Sequence, residues 1–137
     1  MPKVFRIMQV GEDGLPIVNQ TARGLGVRPG VDIELDQQGN VFVNGKGMSV
    51  NPAWRDAPFH RIPERLRHLV PDARGPASNT CFRFGTGTFR RATFADGLTL
   101  APDSPKHGTI APATSVQLSA YEAALAATRS GWEPDEK

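Results

Sequence analysis

The sequence has one cysteine, Cys81, in 137 residues. That excludes an internal disulfide and any zinc site built from several thiolates, and alternating apolar neighbours in TCFRF point to a buried strand thiol. No apolar run is long enough to cross a membrane as a helix, and the one in MPKVFRIMQV is too short for a signal peptide. The expectation is a soluble chain, cytoplasmic where it is made, with no membrane partner. Also missing are a Gly-x-Ser-x-Gly elbow, a Ser-x-x-Lys pair, a Gly-x-Gly-x-x-Gly helix start and a glycine loop ending in Gly-Lys-Ser/Thr. Serine nucleophiles and phosphate-cradling loops of the familiar kinds therefore have no local signature. There is no internal repeat and no low-complexity tract.

What is present fits one domain. A chain with 39% hydrophobic and 22% charged residues can bury a single core. The reading places that domain at residues 1–132, followed by a polar tail at 133–137. The net charge is only +2, but it is unevenly spread. Residues 55–91 carry eight arginines against Asp56, Glu64 and Asp72, about +5 in all, which leaves the rest near −3. Such a segment suits phosphates, a protein partner or simply solvent, and it lacks the interleaved aromatics of a single-strand nucleic-acid binder.

Residues 3–10 read as a strand ended by the turn cluster GEDG. In VDIELDQQGNVFVN the alternation of Val31, Ile33 and Leu35, the QQGN turn, then Val41 and Val43 predict a hairpin. A short strand at Met48–Val50 follows. Prolines break residues 51–76 except for one helical turn after Pro63. Strands are expected at 80–84, within 96–105 and in HGTIAPA. Thr114 and Gln117 match a capping box, and Leu118, Tyr121, Leu125, Thr128 and Trp132 follow at helical spacing, predicting one long C-terminal helix. The fold class is α+β, dominated by short strands.

Three histidines, His60, His68 and His107, have no zinc-ligand spacing, so no metal site is expected. Histidines acting as acid and base on RNA need no fixed spacing, which keeps an RNA-cleaving domain open. Arg6 shares its strand face with Val4. If that face is core, the guanidinium needs an anionic partner, either a phosphate or a structural carboxylate. Ser49, in GKGMSVNP, is either an ordinary strand residue or a ligand contact. Gly45 and Gly47 would let a ring or ribose approach the backbone, with the Ser49 hydroxyl and the Asn51 amide as hydrogen-bond partners.

The arginine strand VFRIM, the strand in GKGMSVNP and the closing block containing HGTIAPA resemble the small ADP-ribosyltransferase-like toxins delivered by type VI secretion systems. The similarity spans about half of the chain. It implies an ADP-ribosyltransferase-like fold, in which small mixed β-sheets form a cleft for NAD. Arg6 would contact the dinucleotide, with Asn51 nearby, and Ser49 would support the nicotinamide ribose. His107 would be the late polar residue of the site, with Glu122 the alternative. It further implies a cognate immunity protein or antitoxin, an acceptor that is protein or nucleic acid, and delivery into a target cell. The chain departs from the better-known pattern in having Met-Ser-Val instead of Ser-Thr-Ser and no Glu-x-Glu pair. A non-enzymatic interaction protein using residues 55–91 is the competing expectation.

Overall fold

The strand-forming stretches of the chain are short, and none carries enough apolar surface to make a core on its own. They are arranged as two antiparallel sheets that share one. The structure, a computed structural model, describes residues 2–137. The first sheet has the order β1 (Val4–Gln9), β3 (Asn79–Phe84), β7 (Trp132–Pro134). The second has the order β2 (Met48–Val50), β6 (His107–Pro112), β5 (Leu98–Ser104), β4 (Ala92–Ala95). Every strand pair is antiparallel, and parallel pairing is confined to isolated bridges such as Val18–Leu25. The expectation of mixed sheets is corrected accordingly. Hairpin loops join sequence neighbours β4, β5 and β6, which favours antiparallel pairing.

β1 is buried on both faces, so its side chains serve two cores. Val4 and Met8 point into the main core between the sheets, with Phe82, Leu100, Ile110 and Tyr121. Phe84, Phe94 and Trp132 pack their rings there, with centroids 4.4 to 6.1 Å apart. Phe5 and Ile7 point the other way, onto a smaller core with Trp54, Ile62, Leu66 and Cys81. The proline-broken segment covers that second core through single 3-10 turns at Trp54–Asp56 and Glu64–Leu66. Cys81 is buried and free, and burial pushes its thiol up, well away from thiolate chemistry.

Three sequence expectations change. The 31–43 hairpin has its turn, with Gly39 at a φ of 81°, but only the Leu35–Val41 bridge of a ladder. Val31 and Val43 are exposed, because Ile33 and Val41 alone reach the core. The terminal helix α1 is Leu118–Ala127, without a side-chain cap. Gln117, which the Thr114 capping box would engage, instead binds the 38–41 turn together with Ser115: the Ser115 hydroxyl donates to the Val41 carbonyl and Gln117 Nε2 to the Gln38 carbonyl. Trp132 lies beyond the helix in β7. Finally, residues 133–137 are not a free tail. Glu133 and Pro134 pair with β3, Asp135 N donates to the Cys81 carbonyl, and Glu136 meets Arg65 in a two-pronged ion pair.

Candidate functional site

The site begins where β1 and β2 part. Phe5 and Asn51 exchange both backbone hydrogen bonds, and beyond them the two strands separate into different sheets. The side chain of Arg6 fills the fork. Its Nη1 donates to the Ser49 carbonyl at 2.6 Å, Nε to the Gly24 carbonyl at 3.0 Å and Nη2 to the Ala22 carbonyl at 3.4 Å. The residue is 5% exposed, and no carboxylate touches it among the described residues.

This is an unusual place for a charge. Carbonyl dipoles satisfy the N–H groups but do not neutralise the cation. Burial, and next the positive charge of Arg61, lower its pKa to about 10. Arg61 is itself lowered by burial and by Arg28. Asp32, the carboxylate whose charge acts on Arg6, is already committed. Burial alone would raise its carboxyl, but hydrogen bonds from the side chain and backbone of Arg28 hold it below the usual range. Arg28 grips it with two prongs, at 3.0 and 2.9 Å.

Around this fork lies a cavity of about 100 Å³, lined by Arg6, Ile7, Ser49, Asn51, Ala57, Pro58, Arg61 and His107. Arg6, Ser49, Asn51 and His107 are therefore brought together, although they are spread over most of the chain. Asn51 is anchored by its Nδ2, which donates to the Lys106 carbonyl at 2.8 Å. His107 opens β6, and its Nδ1 lies 2.8 and 2.9 Å from the two Asp103 oxygens. That contact turns the imidazole so that Nε2 is the nitrogen available to a ligand. Ser49 sits opposite Thr109 in the ladder, between the buried Met48 and Val50. Of the glycines before it, Gly45 has open space beside it at a φ of 86°, but Gly47 does not make room for a ligand as expected. A Cβ at Gly47 would lie 2.4 Å from the Ile110 carbonyl oxygen, so the close neighbour is strand β6.

Ile7 and Arg61 also line a second cavity, of about 460 Å³, with Asn19, Thr21, Arg23, Arg28, His60 and Asn79. The two spaces adjoin across Arg61. A still larger groove of about 700 Å³ runs beside β4, between Pro2, Arg90 and Asp96, but none of these site residues lines it. Volume alone does not identify a site. Convergent polar groups and perturbed charges do, and they lie at the fork.

Other sequence candidates fall elsewhere. Glu122 accepts a hydrogen bond from Gln20 on the helix surface and lines neither cavity. His60 lines the larger cavity, whereas His68 is exposed and lines neither. No cluster of three or more metal-ligating side chains occurs among the described residues. Within the basic segment, Arg65, Arg67 and Arg83 are paired with Glu136, Glu64, Glu133 and Asp135. Three of its eight arginines are thus answered by carboxylates. Arg61 is the member of that segment that reaches the fork, and Arg23, Arg28 and Asn79 join it from outside the sequence-derived site.

No family model matches the chain, and no curated protein or solved structure matches it. No helix among the described residues is long and apolar enough to cross a membrane.

Proposed function

We propose that the fork between β1 and β2 is an NAD site and that the protein is an ADP-ribosyltransferase-like toxin domain. The observation that carries this reading is the buried Arg6 charge, held on carbonyls beside Arg61 in a cavity that also gathers Ser49, Asn51 and His107. A bound diphosphate would supply the missing negative charge to both guanidiniums. With the fold that the resemblance implies the chain shares the coarse α+β arrangement of two small sheets, and its ladders are antiparallel where mixed sheets are implied. The cavity at the fork, about 100 Å³, has room for little more than one ring, so the adjoining space of about 460 Å³ takes most of the dinucleotide.

NAD supplies the chemistry of a glycosidic bond whose cleavage places positive charge on the ribose and lets the electron pair leave with nicotinamide. Arg6, clamped at three carbonyls, positions the phosphates without moving in the reaction. Ser49 and Asn51 hydrogen-bond the ribose. His107, oriented by Asp103, presents Nε2 to accept the proton of the attacking acceptor group. The Asp103 carboxylate adds negative charge near the developing cation, a task that the absent Glu-x-Glu pair would otherwise serve. The reading carries with it a neutralising immunity protein and delivery into a target cell, where the acceptor is protein or nucleic acid.

The test is release of free nicotinamide from NAD, followed with wild type, Ser49→Ala and His107→Ala. Removing one such positioned group lowers turnover by about 10²-fold. Slow release that both substitutions reduce supports the reading. Release that is unchanged in both variants overturns it.

A further inference from the structure

Asn79, the first residue of β3, is 2% exposed and lines the larger cavity beside Arg23 and Arg61. Its Nδ2 donates to the Arg61 carbonyl at 3.1 Å. That contact fixes which way the amide faces, since the flipped amide would set oxygen against oxygen. Oδ1 is then a buried acceptor without a partner, and it is the side-chain atom found in that state among the described residues. Buried acceptors are nearly always paired, so an orphan on a residue that lines a cavity points to a donor that arrives from outside, reaching the covered oxygen as the side chains around it give way.

The surroundings say what kind of molecule brings it. Arg23, Arg28 and Arg61 surround a space of about 460 Å³, within the range of small-ligand sites, and Asp32 is tied to Arg28. Ile7, Ala22 and Pro76 give the same cavity an apolar side on which a flat ring can lie. A neutral amide is the acceptor that suits such a place. A carboxylate there would neutralise the guanidiniums and compete with phosphate, whereas an amide oxygen accepts a donor and leaves the positive field intact.

We propose that Asn79 is a specificity-determining residue, whose Oδ1 receives an N–H or O–H donor from a nucleotide whose phosphate is held by Arg61 and Arg23. The choice of a nucleotide rests on the dinucleotide reading of the adjoining fork. Two sources share the chemistry: the adenylate half of NAD, reaching across Arg61, or a nucleotide unit of the acceptor.

The experiment is calorimetric titration of the whole chain with AMP, 2′-deoxy-AMP and purine riboside 5′-monophosphate, which lacks the 6-amino group. The wild type should bind AMP at least about tenfold more tightly than the analogue without the relevant donor, because that analogue leaves Oδ1 unpaired. Asn79→Leu should bind AMP and that analogue alike. Equal binding of all three by wild type, or no AMP binding, overturns the inference, and this series needs no variant to fold. Titration with NAD then separates the two claims. Competition between NAD and AMP assigns the donor to the adenylate half, and simultaneous binding assigns it to the acceptor. Discrimination among the AMP forms without any NAD binding leaves Asn79 standing and removes the dinucleotide reading. NAD binding with no discrimination does the reverse.

Discussion

Two like charges, Arg6 and Arg61, lie close together at the fork with no free carboxylate between them. Nothing in the packing requires the second. Arg61 Nη1 makes a long contact to the Ala22 carbonyl, 3.3 Å, that a glutamine can reproduce in part. Arg61→Gln should therefore stabilise the ligand-free protein by on the order of 0.5–1 kcal/mol and raise its melting midpoint, while shrinking any stabilisation by NAD. Thermal denaturation with and without ligand checks both halves, and a fall in both would mean that Arg61 is structural. Asp103→Asn probes the partner of His107. If Asp103 orients the imidazole, the substitution should lower kcat for nicotinamide release with little change in KM, and this split distinguishes positioning from loss of binding. Arg6, Ser49, Asn51 and His107 were singled out by residue type, strand position and resemblance, and the structure gathers them around one cavity. Asn79 and Arg28 were not, because nothing in a linear pattern shows that an amide oxygen will lack a partner or that an aspartate will be committed to one arginine.

At the level of elements, two ties hold the sheets and the terminus in place. The Tyr121 hydroxyl of α1 donates to the Ile110 carbonyl in β6 and accepts from the Met48 backbone N–H in β2. Burial pushes that phenol up, so it stays protonated and able to donate. Tyr121→Phe removes both hydrogen bonds and should cost about 1–3 kcal/mol in denaturant unfolding. The second tie is Glu136 with Arg65. Burial alone would raise the Glu136 carboxyl, but the Arg65 guanidinium and the Cys81 backbone N–H hold it below its ordinary 4.5. Its contribution to stability is thus complete above the unfolded value and is lost as pH falls through the lower folded value. Glu136→Gln should flatten the acid limb of the stability curve below about pH 4.5, and an unchanged limb would assign acid sensitivity elsewhere. The helix, β1, β3, β5 and β6 were visible in periodicity and turn residues. The end of the helix at Ala127 and the β7 strand were not, since Trp132 meets the helical spacing as well as it fills the pocket beside Phe84 and Phe94. The 31–43 hairpin showed the reverse failure: perfect alternation was present, but only two of its apolar residues have a core to enter.

For the whole molecule, the modest net charge of +2 hides a division of labour. Arg65, Arg83 and Arg129 are matched to carboxylates, and Arg55, Arg74, Arg90 and Arg91 are exposed to solvent, whereas Arg6 and Arg61 at the parting of the sheets are left with carbonyls. A fold that holds unanswered positive charge in its interior should be stabilised by an anion of fitting shape, and less so as salt rises. The direct measurement is the melting midpoint of the protein with and without millimolar NAD, for wild type, Arg6→Lys and Ser49→Ala. An upward shift is expected in wild type and a reduced one in both variants, because lysine cannot reproduce the three-carbonyl clamp and alanine removes the hydroxyl. A well-folded wild type whose midpoint NAD does not move would contradict that expectation.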